Sequence, residues 1–257
     1  MNSSAIATRL RAAGCVFAEE EARLLIAAAR DPSELDAMVE RRAAGLPLEQ
    51  VIGWAEFCGL RILVEPGVFV PRSRTEFLME QAAALASPGA VVVDMCCGSG
   101  AVGAALAAAV PGVELHAADI DPVAVRCARR NLAALGGHVH QGDLYAALPA
   151  GLRGGVDVLV VNGPYVPTQE IELLPREARE HEPRLSLDGG GDGLDVYRRV
   201  VATAALWLRP GGHLLLEVSA GQAEGAVEIV EGGGLVARAA SCEELEATVV
   251  IGTRPPV

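Results

Sequence analysis

The sequence predicts an α/β fold: a doubly wound, mostly parallel sheet of seven strands, preceded by a small N-terminal helical domain and a linking β-hairpin. Three observations lead to this prediction. After residue 88, short apolar segments alternate with segments of helical periodicity, the pattern of parallel sheets covered by helices. The segment Val156–Val161 is apolar except at Asp157, as expected for a strand buried on both faces. A glycine-rich turn from Gly98 to Gly103 joins a predicted strand to a predicted helix.

Residues 1–52 are predicted to form the helical domain. The segments Ala5–Ala13 and Glu19–Ala29 carry apolar residues at helical spacing, and a third helix begins at Pro32 and runs to Ala44. No catalytic constellation occurs in this segment. The domain therefore serves either in the recognition of a partner or in stability alone.

Residues 53–72 are predicted to link the domains through a β-hairpin. Apolar residues recur at alternate positions in Leu60–Val64, Glu65–Gly67 has the composition of a turn, and Val68–Val70 is the returning strand. Residues 73–257 then form the α/β domain.

The elements of the α/β domain follow in order. The predicted helices are Thr75–Ala86, Ala101–Val110, Pro122–Leu135, Leu194–Leu208 and Gln222–Glu231. The predicted strands are Ala90–Val93, Val113–Ala118, a short strand around Val139, Val156–Val161, His213–Val218, Leu235–Ala239 and Ala247–Ile251. In such folds ligands bind beyond the carboxyl ends of the strands, so functional side chains are expected in the loops there.

The composition excludes several kinds of chemistry. All 21 basic residues are arginines, which rules out a Schiff-base lysine, a lysine general base and the lysine of a P-loop. The formal charge of -12 argues against a nucleic-acid backbone as the main partner. The longest apolar run, Ala101–Val110, is too short for a membrane span, and no export signal is evident. We therefore expect a cytoplasmic protein that binds neither membranes nor nucleic acids.

Cysteine and histidine spacing predicts neither disulfides nor a metal site. The six cysteines form no CxxC pair, and only Cys96 and Cys97 are adjacent. His138 and His140 would share one face of a strand, but no cluster of carboxylates and cysteines accompanies them. Reduced cysteines and no bound metal are the expectation.

The glycine-rich loop and three acidic residues predict a cofactor site. Gly98 and Gly100 begin a G-x-G-x-x-G motif, which nicotinamide, flavin and S-adenosylmethionine enzymes share. Asp119 follows at the end of the next strand, where a carboxylate can accept hydrogen bonds from ribose hydroxyls. Asp94 would repel a pyrophosphate but suits the ammonium of a methionine moiety, and Asp143 can reach an adenine amino group. The cationic cofactor S-adenosylmethionine therefore fits better than NAD, and a tight turn without a ligand is the alternative.

The segment Asn162-Gly163-Pro164-Tyr165 directly follows the fourth predicted strand, beside the expected position of the reactive methyl group. The Asn162 side-chain oxygen and the Gly163 carbonyl can accept both hydrogens of a planar NH2 group and direct its nitrogen towards the methyl group. Both acceptors bind more strongly as positive charge develops on the nitrogen, as catalysis requires. Tyr165 would pack on the substrate plane. An ordinary turn is the alternative, since Asn, Gly and Pro all favour turns.

These motifs resemble the PrmC/HemK family of protein-glutamine N5-methyltransferases, and the resemblance covers nearly the whole chain. The matching segments are 47–53, 57–60, 70–76, 94–100, 118–122, 142–144, 162–165, 182–194 and 197–199. The resemblance implies a Rossmann-like methyltransferase domain in residues 73–257 that uses S-adenosylmethionine. It implies that the acceptor is the glutamine of a Gly-Gly-Gln segment in a peptide chain release factor, that residues 1–52 recognise this protein, and that the enzyme is a monomer.

The resemblance also implies a role for each matching residue. The catalytic residues are Asn162, Gly163, Pro164 and Tyr165. The cofactor-binding residues are Asp94, Cys96, Gly98, Gly100, Asp119, Ile120, Asp143, Leu144 and Asn162. The acceptor-binding residues are Asn162, Gly163, Tyr165, Arg72 and Glu76.

The sequence departs from the family pattern in three places, and its Asn-small-Pro-Tyr-Val-Pro form resembles a side branch of the family. Gly163 replaces the first proline of Asn-Pro-Pro-Tyr, Cys96 replaces a glycine of the cofactor loop, and Ser73 and Arg74 replace proline and glutamate. Glycine keeps the carbonyl acceptor but loosens the loop by roughly 1 kcal/mol, and we expect it to leave room for a bulkier acceptor. Three alternatives stay open: methylation of a nucleobase amino group, methylation of a small-molecule amide or amine, and a cofactor-binding scaffold without catalysis.

Overall fold

The computed structural model describes residues 2–256, and its N-terminal part is a small bundle of helices. The helices are α1 (Ser3–Ala12), α2 (Ala18–Ala28), α3 (Pro32–Ala43) and the short α4 (Leu48–Ile52). The side chains of Asn2 and Asp31 accept hydrogen bonds from backbone N–H groups and so cap the starts of α1 and α3. Ile6, Leu10 and Leu25 are buried in a core of their own between these helices. The three predicted helices are present, with ends that differ by at most two residues.

A β-hairpin follows the bundle, but its strands are not the predicted ones. Its strands are β1 (Trp54–Phe57) and β2 (Leu60–Leu63), which pair antiparallel. The two turn residues, Cys58 and Gly59, both have a left-handed conformation with φ of 49° and 71°, and such a turn matches the twist of antiparallel strands. The prediction that Leu60–Val64 pairs with Val68–Val70 is therefore wrong.

The alternation of apolar residues that suggested the wrong pairing reflects burial instead. Val64 and Val70 pack with Ala55 in a small core beneath the hairpin. The Val68 N–H donates to the Glu65 carbonyl at 3.0 Å, so the predicted turn does form. It redirects the chain towards the main domain without pairing two strands.

The main domain contains a seven-stranded sheet with helices on both faces, which confirms the predicted fold class. Its strands are β3 (Val91–Met95), β4 (Glu114–Asp119), β5 (His138–Gln141), β6 (Val156–Val161), β7 (Leu208–Val218), β8 (Val236–Cys242) and β9 (Ala247–Thr253). Its helices are α5 (Thr75–Leu85), α6 (Ala101–Ala109), α7 (Pro122–Leu132), α8 (Arg176–His181), α9 (Asp195–Trp207) and α10 (Ala223–Gly232). The strand order is β5-β4-β3-β6-β7-β9-β8, and β9 alone runs antiparallel to the other six strands.

The centre of this sheet is the point where the chain changes direction. From β3 the chain builds outwards through β4 and β5, and it then returns to place β6 on the other side of β3. Alternate residues of β6 enter opposite cores: Val158 and Val160 face the core that includes α5 and α6, whereas Leu159 and Val161 face the core that includes α9. A crevice therefore opens at the carboxyl ends of β3 and β6, where such sheets bind ligands.

Two further features bear on the whole chain. Within residues 2–256, no helix combines the length and the apolar character that crossing a membrane requires. The division into residues 1–52, 53–72 and 73–257 stays a prediction, although α4 ends at Ile52 and β1 begins at Trp54.

A buried arginine connects the helical bundle to the main domain. Arg42 in α3 lies almost fully buried, and its guanidinium binds both carboxylate oxygens of Glu21 at 2.6 and 3.0 Å. The same guanidinium contacts the Glu177 carboxylate in α8 at 2.7 Å. Residues of α8 line the crevice. The contacts of Arg42 therefore hold the helical bundle against a wall of the crevice.

We predict that Arg42→Met strongly destabilises the protein. The change would leave the buried Glu21 carboxylate without its partner, which typically costs about 3–5 kcal/mol. Urea unfolding should show this loss, whereas Arg11→Met, which removes an exposed ion pair with Glu19, should leave the free energy of unfolding close to the wild-type value. Similar stabilities for the two variants would contradict a connecting role for Arg42.

Candidate active site

A cavity of about 610 Å³ lies at the carboxyl ends of β3, β4, β5 and β6. This volume is within the usual range for sites that hold small molecules and cofactors. Most of the sequence-predicted site residues line it. They are Asp94, Cys96, Gly98, Asp119, Ile120, Asp143, Leu144, Asn162, Gly163, Pro164, Tyr165 and Arg72. The parallel sheet thus brings Asp94 and Tyr165, which are 71 positions apart in the sequence, to one edge.

Asp94 is a buried carboxyl group at the base of the cavity. Only 3% of the residue is exposed, and its Oδ2 atom accepts a hydrogen bond of 2.9 Å from the Gly103 N–H in α6. Burial, with a smaller contribution from the neighbouring Asp119, raises the pKa of Asp94 to about 7, although the Gly103 N–H acts in the opposite direction. A cationic ligand would favour the charged form of this carboxyl group and would bind to it in turn.

Asp119 is held in place by the two loops next to it. Its Oδ2 atom accepts from the Gly98 N–H and its Oδ1 atom from the Asp121 N–H, both at 2.9 Å. Each carboxylate oxygen can accept a further hydrogen bond, so the pair suits two neighbouring hydroxyls. The adjacent Ile120 is 47% exposed and presents apolar surface to the cavity.

Two residues of the cavity wall have a backbone conformation that favours glycine. Cys96 and Leu144 have φ of 59° and 48°, the left-handed region that side chains other than Asn and Asp rarely adopt. The glycine that the related family has at position 96 is explained by this requirement. Cys96 retains the turn at a cost of about 1–2 kcal/mol.

Gly100 does not line the cavity. It has φ of 78° and begins α6, and a Cβ atom there would lie 3.2 Å from Ala128 and 3.3 Å from Leu132. Its role in this structure is the close packing of α6 against α7.

Asp143 carries a partner that the sequence did not reveal. Its carboxylate binds the Arg199 guanidinium of α9 at 2.6 Å. Arg199 also lines the cavity, so the expected group of three unpaired acids is reduced to Asp94 and Asp119. The only sign of Arg199 in the sequence was its place in the matching segment 197–199.

Asn162 lies at the end of β6 with its side-chain amide fixed by α5. The Nδ2 atom donates to the Thr75 hydroxyl at 3.1 Å, so the Oδ1 atom is on the branch of the amide group away from Thr75. Three residues later, the phenol of Tyr165 donates to the Glu217 carboxylate at 3.1 Å. The Tyr165 carbonyl also accepts from the Gln222 side chain at 2.8 Å. This loop is thus tied to three other elements.

A side chain at position 163 would point towards helix α9. A Cβ atom at this position would lie 3.2 Å from the Tyr197 ring and 3.5 Å from Val196. The Tyr197 hydroxyl donates to the Glu217 backbone carbonyl and lies 3.3 Å from the Gly163 carbonyl oxygen. The space left by the missing proline therefore adjoins α9, and the expected room for a bulkier acceptor is not found there.

The two remaining predicted acceptor residues have different positions. Arg72 lines the cavity, where it binds the Glu182 carboxylate at 2.6 Å and lies over the Phe69 ring. Glu76 does not line the cavity: its carboxylate accepts from the Cys58 N–H at 3.0 Å and so stabilises the strained hairpin turn.

The segment that closes the mouth of the cavity was not predicted in detail. It includes α8 and short 3₁₀ turns between β6 and α9. Its apolar side chains at the cavity are Val166, Leu173, Leu174, Leu185 and Leu187. Glu170, Glu177 and Ser186 of the same segment also line the cavity, so this wall is largely but not wholly apolar.

Outside the cavity, the histidines do not form a metal site. His116 Nδ1 and His140 Nε2 are 2.9 Å apart, and His138 stacks on His116. Within residues 2–256 no group of three or more His, Cys, Asp or Glu side chains has an arrangement that could hold a metal ion.

In sequence and in fold the chain is similar to methyltransferases. The family model described as "Methyltransferase small domain" matches residues 59–180. The chain is similar in fold to a crystal structure of a methyltransferase from Pyrococcus furiosus, with a TM-score of 0.60 and 17% identity over 87% of this chain and 99% of that one.

Relatives define the particular family. The chain is 42% identical to a release factor glutamine methyltransferase from Geobacter sulfurreducens, over 76% of this chain and 69% of that protein. It is 38% identical to one from Cereibacter sphaeroides, over 88% and 87%. A third relative, 39% identical over 70% of this chain and 63% of its own length, is a 4-amino-L-phenylalanine/4-methylamino-L-phenylalanine methyltransferase from Streptomyces pristinaespiralis. The chain belongs to the release factor glutamine methyltransferase family.

We predict that Glu76→Ala lowers stability and leaves acceptor binding intact. The variant loses the hydrogen bond to the Cys58 N–H, which is worth about 1.5 kcal/mol when the acceptor is charged. Thermal unfolding and the KM for the acceptor should be measured together, with Glu80→Ala, one turn further along α5 and exposed, as the control. An increase in KM without a loss of stability would restore the role in acceptor binding that the family resemblance implies.

Proposed function

We propose that the protein transfers a methyl group from S-adenosylmethionine to the glutamine side-chain amide of a Gly-Gly-Gln segment in a peptide chain release factor. The observation that carries the proposal is the pair of acceptors at the end of β6: the Asn162 amide, whose nitrogen is turned towards Thr75, and the adjacent Gly163 carbonyl. A planar amide NH2 group can donate one hydrogen to each. The relatives from Geobacter sulfurreducens and Cereibacter sphaeroides, both release factor glutamine methyltransferases, support the same acceptor.

The residues around the cavity fit the cofactor. The buried Asp94 carboxyl, whose pKa lies near neutrality, would gain a cationic partner in the ammonium of the methionine moiety. Asp119 would accept from the ribose hydroxyls. Ile120 and Leu144 provide apolar surface for the adenine ring. The Asp143 carboxylate, which is also bound by Arg199, can accept from the adenine amino group.

The chain's own groups would then position the acceptor nitrogen. When bound, the cofactor supplies a methyl group on a positively charged sulfur. The Asn162 and Gly163 oxygens hold the NH2 group so that the nitrogen lone pair, normally delocalised into the amide carbonyl, faces that carbon. As the nitrogen–carbon bond forms and the carbon–sulfur bond breaks, positive charge passes to the nitrogen, and both oxygens stabilise it. The nitrogen afterwards loses one proton to water.

The helical bundle offers a surface for a protein acceptor. Val16 is 83% exposed and Phe17 is also largely exposed, between α1 and α2. We propose that residues 1–52 contact the release factor and that the enzyme acts as a monomer in the cytoplasm, where translation takes place.

A second candidate acceptor is a small aromatic amine. The relative from Streptomyces pristinaespiralis is a 4-amino-L-phenylalanine/4-methylamino-L-phenylalanine methyltransferase. The apolar side chains that line the cavity between β6 and α9 would accept an aromatic ring. An amine of this kind also presents an NH2 group to the Asn162 and Gly163 oxygens.

Competition between acceptors tests the proposal. The protein should be incubated with methyl-labelled S-adenosylmethionine and three acceptors: a release factor, the same factor with its Gly-Gly-Gln glutamine replaced by asparagine, and 4-amino-L-phenylalanine. We expect label only in the release factor that keeps the glutamine of its Gly-Gly-Gln segment. Label in the amino acid and none in the release factor would establish the second candidate instead.

We predict that Asp119→Ala weakens binding of the demethylated cofactor product about 10- to 100-fold, because hydrogen bonds to a charged acceptor contribute about 1.5–3 kcal/mol. Titration calorimetry gives the affinity directly. The control is Asp121→Ala, which removes the cap of α7 and should lower stability without changing the affinity. Unchanged binding by the Asp119 variant would place the ribose elsewhere.

We predict that Asn162→Ala lowers kcat by ~10²–10³-fold while cofactor affinity stays near the wild-type value, because a positioned group that stabilises developing charge is lost. Single-turnover rates on the release factor measure the chemical step. Asn2→Ala, which removes the cap of α1 and does not line the cavity, is the matched control and should affect stability alone. A rate for Asn162→Ala close to that of wild type would mean that this loop is only a turn.

A further inference from the structure

We propose that Thr75 and Glu217 are positioning residues for Asn162, and that they fix the direction in which its side-chain amide points. This inference rests on the proposed function, in which the Asn162 oxygen binds the acceptor NH2 group. The resemblance gave a catalytic role to Asn162 but no role to either of these residues.

Thr75 contacts the Asn162 side-chain amide but does not by itself fix its orientation. The Asn162 Nδ2 atom donates to the Thr75 Oγ1 atom at 3.1 Å, and Thr75, at the start of α5, is only 2% exposed. A hydroxyl group can either donate or accept a hydrogen bond. Thr75 alone would therefore allow the amide in either orientation, with its oxygen or with its nitrogen towards the acceptor.

Glu217 removes this ambiguity. It lies at the end of β7, only 2% exposed, and in its ionised form it can only accept hydrogen bonds. In the proposed arrangement the Thr75 hydroxyl, which is close enough to this carboxylate to lower its pKa, donates to it. Because Thr75 has a single hydroxyl proton, its oxygen is left to accept, and the Asn162 NH2 group is the donor that it meets. The Asn162 oxygen is then directed to the acceptor side.

Burial raises the pKa of Glu217 above its ordinary value, and Thr75, Tyr165 and Arg74 oppose this rise in part. The Tyr165 phenol donates to the Oε1 atom at 3.1 Å. The Oε2 atom is buried and has no partner at hydrogen-bond distance in residues 2–256, so it is the carboxylate oxygen that is left to accept from Thr75. A carboxylate satisfied in this incomplete way lowers stability, and the direction it gives to Asn162 supplies a functional reason for its presence.

The alternative orientation of Asn162 would oppose catalysis. With the amide reversed, its NH2 group would face the NH2 group of the acceptor, and two donors would meet. The positive charge that develops on the nitrogen would then be next to N–H dipoles of the wrong sign. Loss of the relay from Glu217 through Thr75 should therefore reduce the rate of the chemical step more than it reduces binding.

The experiment compares Thr75→Val, Thr75→Ser and Glu217→Gln with the wild-type protein in methyl transfer to the release factor. Valine has the shape of threonine without the hydroxyl, and glutamine can donate to Thr75, which frees the Thr75 proton for the Asn162 oxygen. We expect Thr75→Val and Glu217→Gln to lower kcat by about 10- to 100-fold, as is usual when a group that orients a functional residue is lost. The KM for the release factor and the affinity for the demethylated cofactor should stay near the wild-type values. Thr75→Ser, which keeps the hydroxyl, should retain the wild-type kcat.

A double variant separates positioning from stability. If Thr75 acts through Asn162, Thr75→Val should cause no further loss of kcat in an Asn162→Ala background, since residues that act as a unit are not additive. A structural role would slow both backgrounds equally, and that result would overturn the proposal. A wild-type rate for Thr75→Val and Glu217→Gln would overturn it as well.

The outcome does not depend on one variant or on the identity of the acceptor. If Thr75→Val fails to fold, Glu217→Gln in the wild-type and Asn162→Ala backgrounds decides by the same two criteria. If the wild-type protein leaves the release factor unmethylated, the proposed acceptor is wrong. If the wild-type protein methylates it and the variants do so equally fast, the positioning role is wrong.

Discussion

The site depends on one constraint: the carboxyl ends of β3, β4 and β6 meet at a single edge of the sheet. This follows from the parallel pairing of these strands and from the return of the chain to β3 after β5. Asp94, Asp119 and Asn162 each stand at or next to the end of one of these strands. Their convergence therefore needs no special loop, and the loops only add the finer contacts, such as the Gly98 N–H bound to Asp119.

The polar groups of the site are held in an otherwise apolar setting. Asp94 and Glu217 lie below the surface, and burial is the largest cause of the raised pKa of each. Charged groups in such places are unfavourable for folding unless donors or a ligand compensate them. The Gly103 N–H of α6 and the Tyr165 hydroxyl after β6 do so in part. The remainder of the compensation for Asp94 would come from a cationic ligand, so the site and its cofactor are matched by charge.

The sequence predicted the parts of this structure that depend on local pattern. Strong periodicity gave the helices and the central strands, and the G-x-G-x-x-G turn with Asp119 gave the position of the cavity. The hairpin was misplaced because its turn uses Cys58 in a left-handed conformation, which residue type does not announce. Arg199 and Glu217 were missed because each reaches the site from an element more than 50 residues away from its partner, Asp143 or Tyr165. Such contacts arise from tertiary packing alone.

The central claim is that the Asn162 side-chain oxygen and the Gly163 carbonyl hold the NH2 group of a glutamine. A crystal structure of the protein with the demethylated cofactor product and a glutamine-containing release factor tests it most directly. The account predicts that the glutamine nitrogen lies within hydrogen-bond distance of both oxygens, on the side of the cofactor sulfur, with the Asn162 nitrogen still bound to Thr75. A glutamine held elsewhere, or an Asn162 amide that presents its nitrogen to the acceptor, would contradict it.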